Sequence, residues 1–95
     1  MSKNNIVYVG SKPLMNYCMA VIESLRHSDS VALKARGRAI SRAVDVAEVT
    51  RNRYLNGVKV ESIDIMTEEL DSHDGDTRNV SAITILLLSL IHISE

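Results

Sequence analysis

Apolar positions along this 95-residue chain change period repeatedly, and each change marks an element. Residues 5–10 (NIVYVG) form a short apolar run closed by glycine, the pattern of a buried strand. The period then lengthens. Leu14, Tyr17, Cys18, Val21, Ile22 and Leu25 fall at i, i+3, i+4, i+7, i+8 and i+11, one stripe of an amphipathic helix ending near Arg26-His27-Ser28. Gly10-Ser11-Lys12-Pro13 reads as the turn into it, with Pro13 preset for the first helical position. Residues 30–34 (SVALK) are a second strand. After Gly37 a second helix runs to about Tyr54, with Ile40, Ala43, Val44, Val46, Ala47, Thr50 and Tyr54 on one broad arc, and Asn56-Gly57 stops it. Residues 58–66 alternate imperfectly through Val58, Val60, Ile63 and Ile65. An acidic loop containing Gly75 then leads to a fourth strand over 79–87.

The order is strand, helix, strand, helix, strand, strand. It predicts an α/β two-layer sandwich on a mixed four-stranded sheet, with the last two strands drawn out as an extended β-hairpin. If the first two strands pair in parallel, their C-terminal ends lie side by side. The loops at 10–13 and 34–38 then emerge on one edge, each feeding a helix N-terminus, where open α/β sheets place their ligands. Lys12, Lys34, Arg36, Arg38 and Arg42 are expected to converge there. Alternating cations, a glycine and unpaired helix N–H groups suit an anion, phosphate above all. The alternative reading of the same run is a solvated charged surface around a glycine turn.

Charge supports the sharper reading once its distribution is considered. The net charge is -1, yet residues 31–60 carry seven cations (Lys34, Arg36, Arg38, Arg42, Arg51, Arg53, Lys59) against Asp45 and Glu48, a net of +5. Residues 61–79 hold seven carboxylates (Glu61, Asp64, Glu68, Glu69, Asp71, Asp74, Asp76) against Arg78, a net of -6. Composition narrows the classes further. Aromatics are 3% with no Trp or Phe, so the core is aliphatic and recognition by base stacking on aromatic platforms is not expected. The one cysteine, Cys18, lies in the apolar stripe and reads as a core thiol; a cytoplasmic protein is the default. Residues 83–93 are too short an apolar run to span a membrane.

No Ser-His-Asp order, P-loop or paired catalytic carboxylates can be placed with a pocket, so a binding protein is expected rather than an enzyme. Asp71, His73, Asp74 and Asp76 match neither zinc-finger nor calcium-loop spacing; they read as a solvated loop and no metal is expected. Val49 projects into the polar arc with Arg42, Asp45, Asn52 and Arg53, either as a lone surface valine or as part of an interface.

Three segments, VYVGSKPLMNY, KARGRAISRAVDVAEVTRNRY and NVSAITI, together resemble the Alba family of archaeal chromatin proteins, over residues 5 to about 87. The resemblance implies a homodimer that coats and compacts double-stranded DNA, also binds RNA, uses no cofactor, and is chromosome-associated. By position it implies nucleic-acid contacts at Lys12, Arg36 and Arg38, with Lys34 and Arg42 nearby, and hairpin arms that reach along the minor groove. It also implies a dimer-dimer contact at Tyr54, flanked by Asn52 and Arg53; a helix-end or core aromatic is the other reading of Tyr54. Ser11-Lys12 stands where the family commonly carries a lysine pair. The hairpin tip, often basic, here leaves Arg78 as the one cation for a groove, so the arms are expected to contribute little. The stretch LSLIHISE resembles the translation of a transposase-type sequencing adapter; residues 1–87 are read as the single domain and 88–95 as an atypical tail. Two other functions keep the same fold: an RNA-binding, ribonucleoprotein-associated protein, or an interaction module whose acidic hairpin binds a basic protein.

Overall fold

The computed structural model describes residues 5–90. Its elements are β1 (Ile6–Tyr8), α1 (Leu14–His27), β2 (Ser30–Arg36), a 3-10 turn (Gly37–Ala39), α2 (Ile40–Val49), a π-type turn (Thr50–Tyr54), β3 (Val58–Asp71) and β4 (Thr77–Ser89). The sheet order is β1-β2-β4-β3. β1 and β2 are parallel, with Tyr8 level with Lys34, while β4 runs antiparallel to both of its neighbours. This is the mixed α/β sandwich that the alternation of periods predicts.

Both helices cover one face of the sheet. Their stripe residues Cys18, Val21, Leu25, Ala43, Val46 and Ala47 join Val31, Leu33, Ile85 and Leu87 in one aliphatic core, and Cys18 is fully buried there. Sealing side chains such as Leu33 and Leu87 from water is worth about 1.5–3 kcal/mol each, so this layer carries the fold. Arg26 lies in the last turn of α1, where its cation meets the negative end of the helix dipole.

Several boundaries differ from expectation. Pro13 is the residue before α1 and is extended (φ -56, ψ 144), not the first helical residue. β1 is shorter than 5–10, although the Val9 N–H still donates to the Lys34 carbonyl at 2.8 Å. β2 runs two residues further, burying Ala35 and carrying Arg36 at its end. The second helix is three segments in series, and the wider π-type turn rotates its last residues off the core arc, leaving Tyr54 exposed. Val44 is exposed as well. Val49, by contrast, is half-buried and packs on the core rather than standing in the polar arc.

The hairpin is longer than the alternation indicated, because the acidic residues 67–71 are strand and only 72–76 form the loop. At about 3.3 Å per residue, the 14 residues of β3 span roughly 45 Å, and the molecule is 50 Å in its longest dimension. Its imperfect alternation has a cause. Val60 pairs with Leu87 but Ser62 with Leu86, so Glu61 is the extra residue of a β-bulge and the phase flips between Val60 and Ile63. Leu88 and Ser89 continue β4, pairing with Lys59 and Val58; residues 91–95 of the expected tail lie outside the described residues.

Candidate nucleic-acid interface

The parallel β1–β2 pair sends two loops off the same edge of the sheet, and side chains from both helices lock one of them. Tyr17, buried on α1, accepts hydrogen bonds at its hydroxyl from the backbone N–H of Gly10 at 2.9 Å and of Lys12 at 3.0 Å. A Cβ at position 10 would sit 3.4 Å from that hydroxyl, tight packing that glycine relieves. From the other side, Arg42 on α2 donates through Nε to the Gly10 carbonyl at 3.1 Å and through Nη2 to the Lys12 carbonyl. The Lys12 backbone is thus held at both its N–H and its carbonyl, while its side chain stays exposed.

The second loop is made by Gly37, whose φ of +54° lies in the left-handed region that L residues avoid. Its role is this turn from strand to helix; the nearest atom to an added Cβ would be 3.8 Å away, so close approach is not what the position requires. Arg36 and Arg38 flank it, both exposed. Neither α1 nor the 3-10 turn that leads into α2 has an acidic residue in its first turn or a side-chain cap. In the first turn of α1 the Asn16 N–H donates to the Pro13 carbonyl at 3.0 Å, and no acid in that turn meets the positive end of the helix.

The cations are not equivalent. Arg38 has no side-chain partner among the described residues, whereas Arg36 Nε donates to Glu68 Oε1 on β3 at 2.5 Å. Arg42 is engaged by the two carbonyls and holds the loop as much as it adds charge. Lys34 is half-buried and set back on the helix-free face of the sheet, level with Tyr8 on one side and Thr84 on the other. Arg78 does not join this group: it lies opposite Leu70, near the end of the arm.

Asn52, Arg53 and Tyr54 are exposed on the π-type turn, where the Tyr54 hydroxyl donates to Met15 Sδ at 3.7 Å. Beside them Glu48 accepts from Arg51 Nε at 2.8 Å and from Asn52 Nδ2 at 3.4 Å. The hydrogen bond from Arg51 is the main cause that holds the Glu48 carboxyl below its ordinary value; partial desolvation opposes it, and the Arg51 charge and Asn52 add to it. Among the described residues no group of three or more His, Cys, Asp or Glu side chains is arranged to hold a metal ion.

Two residues escape a reading of the sequence. Tyr17 looks like any other member of the apolar stripe, and only its distance of seven residues from Gly10 hints that its hydroxyl returns to the loop. Glu68 carries no local signal at all, since its partner is 32 positions away.

Fold and edge together define a class of small α/β proteins in which a parallel strand pair presents two cationic loops at uncapped helix starts. The Alba family model matches residues 5–67. The chain is 50% identical over 88 residues to a DNA/RNA-binding protein Alba of Methanocella arvoryzae, covering 92% of each. It is 56% identical over 84 residues to a DNA/RNA-binding protein Alba 1 of Archaeoglobus fulgidus, covering 87% of this chain and 93% of that one. The solved structure of Alba from Thermoplasma volcanium superposes with a TM-score of 0.81 at 45% identity, over 88% of this chain and 99% of that chain. This chain belongs to the Alba family. A likeness to ALBA1 from Trypanosoma brucei, at 21% identity and TM-score 0.76, extends the fold alone.

Proposed function

We propose that this protein is a sequence-tolerant nucleic-acid-binding protein that coats and compacts double-stranded DNA as a homodimer, binds RNA as well, and works in the cytoplasm on the chromosome. The observation that carries the reading is the clasp of Tyr17 and Arg42 on the loop of residues 10–12, which fixes Lys12 on the same edge as Arg36 and Arg38. A loop backbone fixed beforehand lowers the ordering cost of binding phosphate to that of the side chains, and phosphate contacts position a protein without reading sequence. The similar proteins named as DNA/RNA-binding support the same ligand class.

Dimerisation is supported by apolar surface that one chain leaves uncovered. Ile63 and Ile65 are on the helix-bearing side of the sheet, level with Ile85 and Ile83, but beyond the helices, and they are 57% and 80% exposed. Ile65 shares its surface with Ile40 at the start of α2, an apolar region suited to a second copy of the chain. Duplicating the cationic edge lengthens it into a track for a polymer. Asn52, Arg53 and Tyr54 are exposed and accessible for the dimer-dimer contact. The arms, with a net charge of -6 over residues 61–79, add little affinity, and Arg78 is their main cation near the tip.

The test is the salt dependence of binding to a DNA duplex by electrophoretic shift. Removing one phosphate-binding cation should flatten the slope of log affinity against log salt by about 0.9. The double variant Arg36→Ala, Arg38→Ala is expected to bind more weakly across unrelated sequences with a flatter slope. An unchanged slope overturns the assignment.

A further inference from the structure

The helix-free face of the sheet carries a cleft beside the phosphate edge, and its Tyr8 side is not used in duplex binding. At the end nearest the basic loops is a cleft of about 370 Å³, lined by Tyr8, Lys34, Arg36, Glu68 and Thr84 over a floor that includes Ala82. Its order follows from register. Tyr8, Lys34 and Thr84 form one row across β1, β2 and β4, and Arg36 with Ala82 forms the next row on the same face. Tyr8 is 70% exposed, an unusual position for the ring of a residue in a strand.

We propose that this cleft takes one unpaired nucleotide of RNA, its base stacked on the Tyr8 ring and its phosphate on Lys34 and Arg36. The proposal rests on the nucleic-acid reading above and adds to it an adjoining subsite, which shares Arg36 with the phosphate edge and is set apart by Tyr8. Three observations favour this occupant. An exposed aromatic beside two cations on an open sheet face is the arrangement that recognises splayed-out bases. Glu68 accepts from Arg36 Nε at Oε1, while its Oε2 has no partner among the described residues and can accept from the amino group of a base; the Thr84 hydroxyl can donate or accept beside it. The volume lies at the low end of small-molecule sites, about 300–1,000 Å³, which suits one nucleotide and excludes a duplex. Three tyrosines are too few to form a platform for successive bases. One base needs one ring, and Tyr8 supplies it.

The test compares two RNAs by fluorescence anisotropy: a fully paired duplex, and the same duplex with one bulged nucleotide. The full chain is expected to bind the bulged RNA about tenfold more tightly, as base-aromatic stacking is of that order. Tyr8→Ala should abolish that preference while its affinity for the paired RNA and for duplex DNA stays within about twofold, and Tyr8→Phe should keep the preference. Because Tyr8 is exposed, the Ala variant keeps its core, and an unchanged circular dichroism melt checks this. Equal affinity of the unaltered chain for the two RNAs, or a preference that survives Tyr8→Ala, overturns the subsite and leaves the phosphate edge standing. Absence of binding to both RNAs and to duplex DNA overturns the two together.

Discussion

The contact between Arg36 and Glu68 means that a phosphate reaching Arg36 must compete with a carboxylate of the protein's own arm. The two groups are 2.5 Å apart, with side chains 59% and 35% exposed. Solvent screens a pair of that exposure, so its worth is about 0.2–1 kcal/mol rather than the value of a buried ion pair. Glu68→Gln keeps the length of the side chain and removes its charge, releasing Arg36 to the ligand. The expected gain in affinity is about 1.4- to 5-fold per chain, and roughly 2- to 30-fold for a dimer with two such edges on one duplex. The slope of log affinity against log salt should steepen by up to about 0.9 for each Arg36 newly engaged. Fluorescence anisotropy on a DNA duplex across a salt series reads both quantities. Affinity and slope that stay the same, or affinity that falls, would refute the idea that the acidic arm restrains the cationic edge.

Other expectations follow from the same contacts. Tyr17→Phe removes the acceptor of two backbone N–H groups and should cost about 1–3 kcal/mol in urea denaturation, with weaker DNA binding because Lys12 is no longer fixed; unchanged stability would show that the clasp is idle. Because the Glu48 carboxyl is held low in the folded chain, its stabilisation is present above the ordinary carboxylate range and lost as pH falls through the folded value. Glu48→Gln should therefore cost about 0.3–0.5 kcal/mol at neutral pH and nothing in strong acid, measured by denaturation at both. Ile65→Asp places a charge in the apolar arm surface; if this surface forms the proposed dimer, the unaltered chain sediments as a dimer and the variant as a folded monomer.

Much of this fold can be read along the chain because its signals are local. The stripe from Leu14 to Leu25 and the strand runs around Val7 and Leu33 each report a single buried face. The alternation of β3 is visibly imperfect along the chain, but that its cause is a bulge at Glu61 emerges only from the strand register. The arm is harder to read, since a hairpin exposed on both faces needs no hydrophobic alternation, and residues 67–71 look like a polar loop. The π-type turn is silent too, so Tyr54 and Val49 are assigned to each other's environments by a regular helical wheel. Of the edge, the cations are legible by type and spacing. What holds them is not: the Tyr17 hydroxyl, the Arg42 bonds to two carbonyls and the Glu68 pair arise between elements that only the folded sheet brings together.

The central claim is that the loop of residues 10–13 and the turn of residues 36–40 form one phosphate-binding edge while the arm tip stands apart. Backbone amide shifts in the NMR spectrum, followed as a short mixed-sequence DNA duplex is added, test it most directly. Amides of both segments are expected to move together along one binding curve, with those of residues 72–76 nearly still. Shifts confined to the arm, with the amides of Lys12, Arg36 and Arg38 unmoved, would contradict it.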